Sequence, residues 1–237
     1  MNREDSERGL TGWMMFHIVC VNKAIRPTIR RWFVKKWILG LNVCLLSVPV
    51  LAQFAGLPIA NSAVAPVAGE MRVTAGVVTS DDYNQYGGRI SFAPIGRLAL
   101  FGDVGAIDPD GADVGPSGQA GFQFTLPTGE EKLADVAIRG TVGFGRFDMD
   151  GGDLEMKGFT LGALVSRDVK WIAPYVLLGM SFVNTEVDAH GMKESDDETD
   201  LALAVGTLLK LTDSFSLFGE YAYVDESFLN AGARWTF

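Results

Sequence analysis

Residues 118–127, GQAGFQFTLP, carry the reading on which the fold depends. Successive side chains of a strand point to opposite faces, so Ala120, Phe122, Phe124 and Leu126 share one face while Gln119, Gly121, Gln123 and Thr125 share the other. The same division recurs along the chain. In 134–147, Val136, Ile138, Val142 and Phe144 oppose Asp135, Arg139 and Thr141; in 199–210, Leu201, Leu203, Val205 and Leu209 oppose Ala202, Ala204, Gly206 and Lys210. From Glu70 onward no window holds helical spacing. Ten alternating segments, at about 70–79, 86–93, 97–107, 118–127, 134–147, 157–167, 171–184, 199–210, 215–225 and 228–237, are separated by Gly, Pro, Asp and Ser clusters. The expected class is all-β and antiparallel.

A soluble sandwich also alternates, but its polar face meets water and is rich in Lys, Glu and Thr. Here that face is mostly Gly, Ala and Ser, with isolated charges at Arg72, Arg89, Asp103, Arg139, Glu220 and Arg234. Small residues with a few opposed charges suit a narrow lumen, and segments of this length match tilted membrane-crossing strands. Phe92, Trp171, Phe215, Trp235 and Phe237 fall near one set of strand ends, and Tyr86, Phe147, Phe159, Tyr223 and Phe228 near the other, as two interfacial belts. Connections after even-numbered strands are short (93–96, 127–133, 167–170, 212–214), and those after odd-numbered strands are mostly longer and acidic (80–85, 108–117, 148–156, 185–198). This describes an up-and-down transmembrane β-barrel of a bacterial outer membrane, with both termini in the periplasm. Ten strands satisfy the required even number; eight also would, if the Gly-rich 86–107 region divides differently.

The ending Phe228-Leu-Asn-Ala-Gly-Ala-Arg-Trp-Thr-Phe237, preceded by Leu217-Phe-Gly-Glu-Tyr-Ala-Tyr223, resembles the closing hairpin of the small outer-membrane barrels that include the OmpA membrane domain, OmpX and the opacity proteins. The resemblance covers residues 70–237 in pattern and the last hairpin in motif. It implies that Trp235 and Phe237 form the signal read by the barrel-assembly machinery, and that lipid and lipopolysaccharide surround the barrel. Members of that family serve as narrow pores, anchors, adhesins and enzymes, so it does not single out one role.

Before the barrel, the stretch WILGLNVCLLSVPVLA (37–52) follows the basic residues Lys35 and Lys36 and ends in small or β-branched residues, the layout of a cleavable secretory signal. The expected signal spans 34–52 with the cut after Ala52, Ala60 and Ala63 being alternative sites; 53–69 would be a periplasmic segment. An uncleaved anchor reaching about Ala60 is the other reading. Residues 1–33 are an N-terminal extension of mixed composition, consistent with an over-early start. Cys20 and Cys44 both precede the expected cut, and Val43 is a poor match to a lipoprotein signal. Removing the leader's eight basic and three acidic residues leaves 12 and 26, a formal charge of −14. Such an acidic surface argues against a nucleic-acid partner.

Three sets of residues bear chemistry. Glu220 and Arg234 face inward by parity; a loop at 226–228 with Asp225 opposite Leu229 would make them direct cross-strand partners in a lumen salt bridge, joined by Arg139 or Arg72. The segments Asp108-Pro-Asp110-Gly-Ala-Asp113 and Asp148-Met-Asp150-Gly-Gly-Asp153 share D-x-D-G-[AG]-D, a candidate for Ca²⁺ at the loops, although neither has EF-hand spacing. His190 beside Asp188, with Asp81-Asp82, resembles the rim residues of omptin proteases over only a few positions. No other His follows the expected cut, and there is no phosphate loop or cofactor motif. The expectation is a non-enzymatic barrel with a structural or narrow small-solute pore role and no cofactor. The alternatives are a surface adhesin working through its acidic loops and a rim hydrolase.

Overall fold

The computed structural model describes residues 61–237 apart from 111–112, 128–132, 150–151, 190–191 and 225. The expected extension, signal, cut after Ala52 and both cysteines, together with Asp150 and His190, lie outside the described residues.

Period-two alternation produces ten strands: β1 (Met71–Thr79), β2 (Tyr83–Ile95), β3 (Leu98–Pro109), β4 (Gly115–Thr125), β5 (Asp135–Met149), β6 (Gly152–Ser166), β7 (Ile172–Ala189), β8 (Met192–Lys210), β9 (Phe215–Val224) and β10 (Glu226–Thr236). Each pairs antiparallel with its chain neighbours, and β1 pairs with β10, so the sheet closes on itself without a free edge. The Gly-rich 86–107 region forms two strands, β2 and β3, which gives ten rather than eight.

Faces follow parity. Phe122, Phe124, Ile138, Val142, Phe144, Leu201, Leu203 and Val205 are exposed on the outside, whereas Gln119, Gln123, Thr125, Asp135, Arg139, Ala202 and Ala204 are buried inside. An apolar exterior of this extent would be a liability in water. In lipid it is required, and closure satisfies every ladder hydrogen bond there. Toward the long-hairpin end the lumen is packed with Val78, Ile107, Leu154, Met156, Val183 and Val224, all nearly fully buried.

Parity also corrects the belts. Phe92, Trp171, Trp235 and Phe237 at one end and Tyr86, Phe159 and Tyr223 at the other are exposed, but Phe147 and Phe228 are buried. Phe147 lies an odd number of residues from outward Phe144, and Phe228 from outward Trp235, so each points inward. Phe228 packs against Tyr83 with ring centroids 5.8 Å apart.

The segments 148–156 and 185–198, expected as loops, are instead mostly strand. The β5–β6 ladder runs to Met149↔Gly152 and the β7–β8 ladder to Ala189↔Met192. Opposite charges line these arms: Arg146 meets its neighbour Asp153 at 2.6 Å, Lys157 meets Glu155 at 3.0 Å, and Lys193 meets Asp188 at 3.8 Å. These pairs are open to solvent, so Arg146→Ala is expected to cost no more than about 1 kcal/mol in urea unfolding.

The last hairpin corrects the expected Glu220–Arg234 pairing. Glu226 lies opposite Val224, so Glu220 faces Asn230 and Arg234 faces Ser216. The ladder thus starts earlier than a 226–228 loop would allow. The shorter connection keeps Phe228 in the sheet and buries its ring, worth roughly 1.5–3 kcal/mol. Arg234 is four positions beyond Glu220's partner, about 13 Å along the strand.

Candidate functional site

All six charges assigned to the lumen by parity lie inside, with Arg89, Asp103, Arg139, Glu220 and Arg234 buried and Arg72 half-buried. They occupy the middle of the barrel and the half nearer its termini. A buried charge is tolerated only with partners in good geometry.

The first group sits on three adjacent strands, where Arg89, Asp103 and Gln119 face one another across the ladders. Arg89 donates from Nε to Asp103 Oδ1 at 2.7 Å and from Nη2 to Oδ2 at 2.6 Å, a bidentate contact. Gln119 Nε2 donates to the same Oδ2 at 2.6 Å. Sequence parity placed Arg89 and Asp103 on the inner wall but did not pair them. The register shifts between Phe92 and Ile95, across the Ala93-Pro94 step, and that irregularity brings them opposite. Next to this pair, the Phe101 ring lies 4.6 Å from the Arg89 guanidinium carbon and 4.2 Å from that of Arg139. The ring's π face supplies part of what water would. Gly121 allows this placement, because a Cβ there would come within 2.5 Å of the ring.

Glu220 anchors the second group, accepting a hydrogen bond from Tyr175 Oη at 2.7 Å and one from Asn230 Nδ2 at 2.8 Å. Tyr175 reaches it by lying flat across Gly206, where a Cβ would come within 2.4 Å of the phenol. Neither residue was singled out from sequence. The only signal was an inward aromatic beside an inward Gly on the next strand, and exploiting it requires the register.

The third group is the least expected. Residues 61–63, read from sequence as part of a periplasmic segment, enter the mouth of the barrel at the end where β1 begins and β10 finishes. Ala63 is completely buried. Its N–H donates to Ser166 Oγ at 2.8 Å and its carbonyl accepts from Thr125 Oγ1 at 2.9 Å, while Gln123 Nε2 donates to the Ser62 carbonyl at 2.8 Å. Asn61 Nδ2 donates to Gln123 Oε1 at 3.1 Å. Asn61 Oδ1 accepts from Nη1 of both Arg72, at 2.6 Å, and Arg234, at 3.0 Å. Arg72 also pairs closely with Glu70. Beside Asn61 remains a cavity of about 10 Å³, room for about one water.

With this geometry, comparison with known proteins is direct. A family model described as "Outer membrane protein beta-barrel domain" matches residues 50–236. The chain belongs to that family. No curated protein matches it. Among solved structures it is similar to the N-terminal β-barrel domain of Pseudomonas aeruginosa OprF, at 13% identity over 73% of this chain and 100% of that one, with a TM-score of 0.37. It is also similar to Ail, the attachment invasion locus protein of Yersinia pestis, at 17% identity over 72% and 100%, with a TM-score of 0.34. A third is the KdgM porin, at 10% identity over 70% and 99%, with a TM-score of 0.41. The barrel is therefore a Gram-negative outer-membrane protein embedded in the lipid of that membrane. Short turns then mark the periplasmic end and long hairpins the outside.

On the outer side, Asp108 is half-buried, Asp110, Asp113 and Asp148 are exposed, and Asp153 is held by Arg146. The two Asp-rich segments touch through the backbone, Asp113 N–H donating to the Asp148 carbonyl at 3.0 Å. Among the described residues no three carboxylate or imidazole groups converge as a metal site. Asp81 and Asp82 are exposed at the β1–β2 tip, and Asp188 lies on the β7–β8 hairpin with the β9–β10 hairpin between them in the ring. At the closing seam, Phe237 exchanges backbone hydrogen bonds with Met71, and Trp235 packs 4.7 Å from Phe215.

Proposed function

We propose that this protein is a non-enzymatic outer-membrane barrel, closed at rest, that lets small solutes pass slowly when its lumen side chains rearrange, and that otherwise serves the envelope as a structural element. The observation that carries this reading is how the described residues occupy the lumen: the charged middle is bridged by side chains, the periplasmic mouth holds residues 61–63, and the cavity beside Asn61 admits about one water. A ten-stranded barrel has little room beyond its own side chains. Polar inner walls and hydrogen bonds in the middle and periplasmic half leave a path there that rearrangement can hydrate, and passage further requires the apolar packing of Val78, Ile107, Leu154, Met156, Val183 and Val224 to part.

Planar-bilayer recording tests it. Rare, brief conductance steps far below those of a wide porin are expected, with liposome swelling in formate or glycine but not in disaccharides. Rapid disaccharide uptake would overturn the reading. Lipopolysaccharide contact around the exterior, and recognition of Trp235 and Phe237 by the assembly machinery, belong to the same proposal. A second reading, surface recognition, has support from the β7–β8 hairpin, whose exposed Glu194, Asp196 and Asp197 and half-buried Glu198 continue a ladder beyond the apolar band. Trimming that hairpin would abolish attachment while leaving conductance unchanged if recognition is the main role.

A further inference from the structure

We propose that the cavity in the lumen is a binding site for a small organic carboxylate, kept shut by Asn61, whose carboxamide oxygen occupies the position of a carboxylate oxygen. This rests on the narrow-passage reading and names its solute class.

The lining carries the argument. The cavity is bounded by Arg72, Arg89, Arg139 and Arg234 together with Asn61 and Phe101, and no Asp or Glu is among its lining residues. Guanidinium groups prefer carboxylate or phosphate, which they bind with short charge-assisted hydrogen bonds. Here two of them, Arg72, which also pairs with Glu70, and Arg234, converge on one neutral amide oxygen, at 2.6 Å and 3.0 Å. Asn61 thus supplies the shape of a carboxylate without its charge. Withdrawing that side chain adds a planar three-atom group's volume to the existing cavity of about 10 Å³. The enlarged space suits formate or acetate and is small for phosphate.

The segment bearing Asn61 holds its place without a charge of its own. Residues 61–69 contain no charged side chain, so the segment brings only neutral groups to its bonds with Gln123, Thr125 and Ser166 and with the charged Arg72, Arg234 and Glu70. A neutral amide oxygen binds a guanidinium less strongly than a carboxylate does, because only one of the two partners is charged. Gly69, with φ of +86°, provides a pivot directly before β1. A carboxylate arriving from the periplasm therefore competes with a weaker surrogate for the same two arginines.

The experiment uses the full chain in planar bilayers and compares wild type with Asn61→Ala and Asn61→Asp. Asn61→Ala is expected to raise the open fraction about tenfold, as loss of hydrogen bonds to two charged groups implies. In a potassium acetate gradient its zero-current potential should move toward that of acetate. Asn61→Asp places a fixed carboxylate on the arginines and is expected to close the barrel further. An independent lock comes from Ala63→Cys with Ser166→Cys, in a Cys20→Ser and Cys44→Ser background, expected to abolish openings when oxidised and to restore at least the wild-type open fraction on reduction.

Occupancy is measured separately. Acetate, at matched ionic strength against chloride, is expected to raise the unfolding temperature of Asn61→Ala and to do so more than for wild type. Equal shifts with chloride and acetate, or none, would overturn the carboxylate site even if the barrel conducts. Cation selectivity in a conducting Asn61→Ala would do the same, and conducting Asn61→Ala channels with the wild-type open fraction would overturn Asn61 as what keeps the site shut. Silence of every variant together with a clear acetate shift would remove the passage reading and leave the site standing.

Discussion

Asp103→Ala is expected to destabilise the barrel by about 3–5 kcal/mol, the range found when one partner of a buried ion pair is removed. The carboxylate is fully enclosed, its Arg89 partner is nearly so, and it also accepts from Gln119. Truncation removes both bidentate bonds and leaves the guanidinium buried in the wall without its counter-charge. Phe101 compensates only in part, since its ring is shared with Arg139. Urea unfolding in lipid vesicles, followed by the heat-modifiable gel mobility of folded barrels, measures the loss. The double variant Arg89→Met with Asp103→Leu is expected to recover most of it, because removing both charges removes the desolvation cost along with the attraction. A single-variant loss below about 1 kcal/mol would mean that the pair is effectively solvated and the lumen wet.

On the opposite face, Leu178→Arg is expected to cost about 2–4 kcal/mol, the penalty for a cation near the midplane of the lipid-facing wall. Leu178 is 54% exposed, so on a water-facing surface the same change would be worth about 0.5 kcal/mol or less. It lies between the aromatic levels marked by Trp171 and Phe182, and its cross-strand neighbours are Ala163 and Leu203. None of these supplies a partner for a guanidinium. Glu194→Arg, on the same hairpin but beyond the apolar band, is expected to be nearly neutral. Equal costs at the two positions would remove the case for lipid at Leu178.

The particular residues show how far a sequence reaches. Gln119, Gln123 and Arg139 were legible as inward-facing because parity is local: each side chain's face is fixed by its neighbours two positions away. Phe228 was legible in the same way, yet its nearness to the strand end suggested a belt, and parity proved the stronger rule. The 185–198 segment looked like a loop because acids crowd it. Its backbone pairs regardless, since cross-strand Lys and Asp stabilise a ladder in water as apolar pairs do in lipid. Sequence gave no indication that Asn61 sits between Arg72 and Arg234, because nothing about a small neutral residue before the first strand marks where it docks.

By itself, then, the chain's alternation determined an all-β class, membrane-length strands, an apolar exterior and six inward charges, since those depend only on the two-residue repeat of an extended backbone, while the structure chose ten strands over eight. Which charge meets which was decided by tertiary structure. A shift between Phe92 and Ile95 aligned Arg89 with Asp103, and the ladder of the last hairpin moved Arg234 away from Glu220 and left it to Asn61. Register depends on how every turn closes against the whole ring, and a change of one residue in a turn is too small to leave a trace in the local pattern.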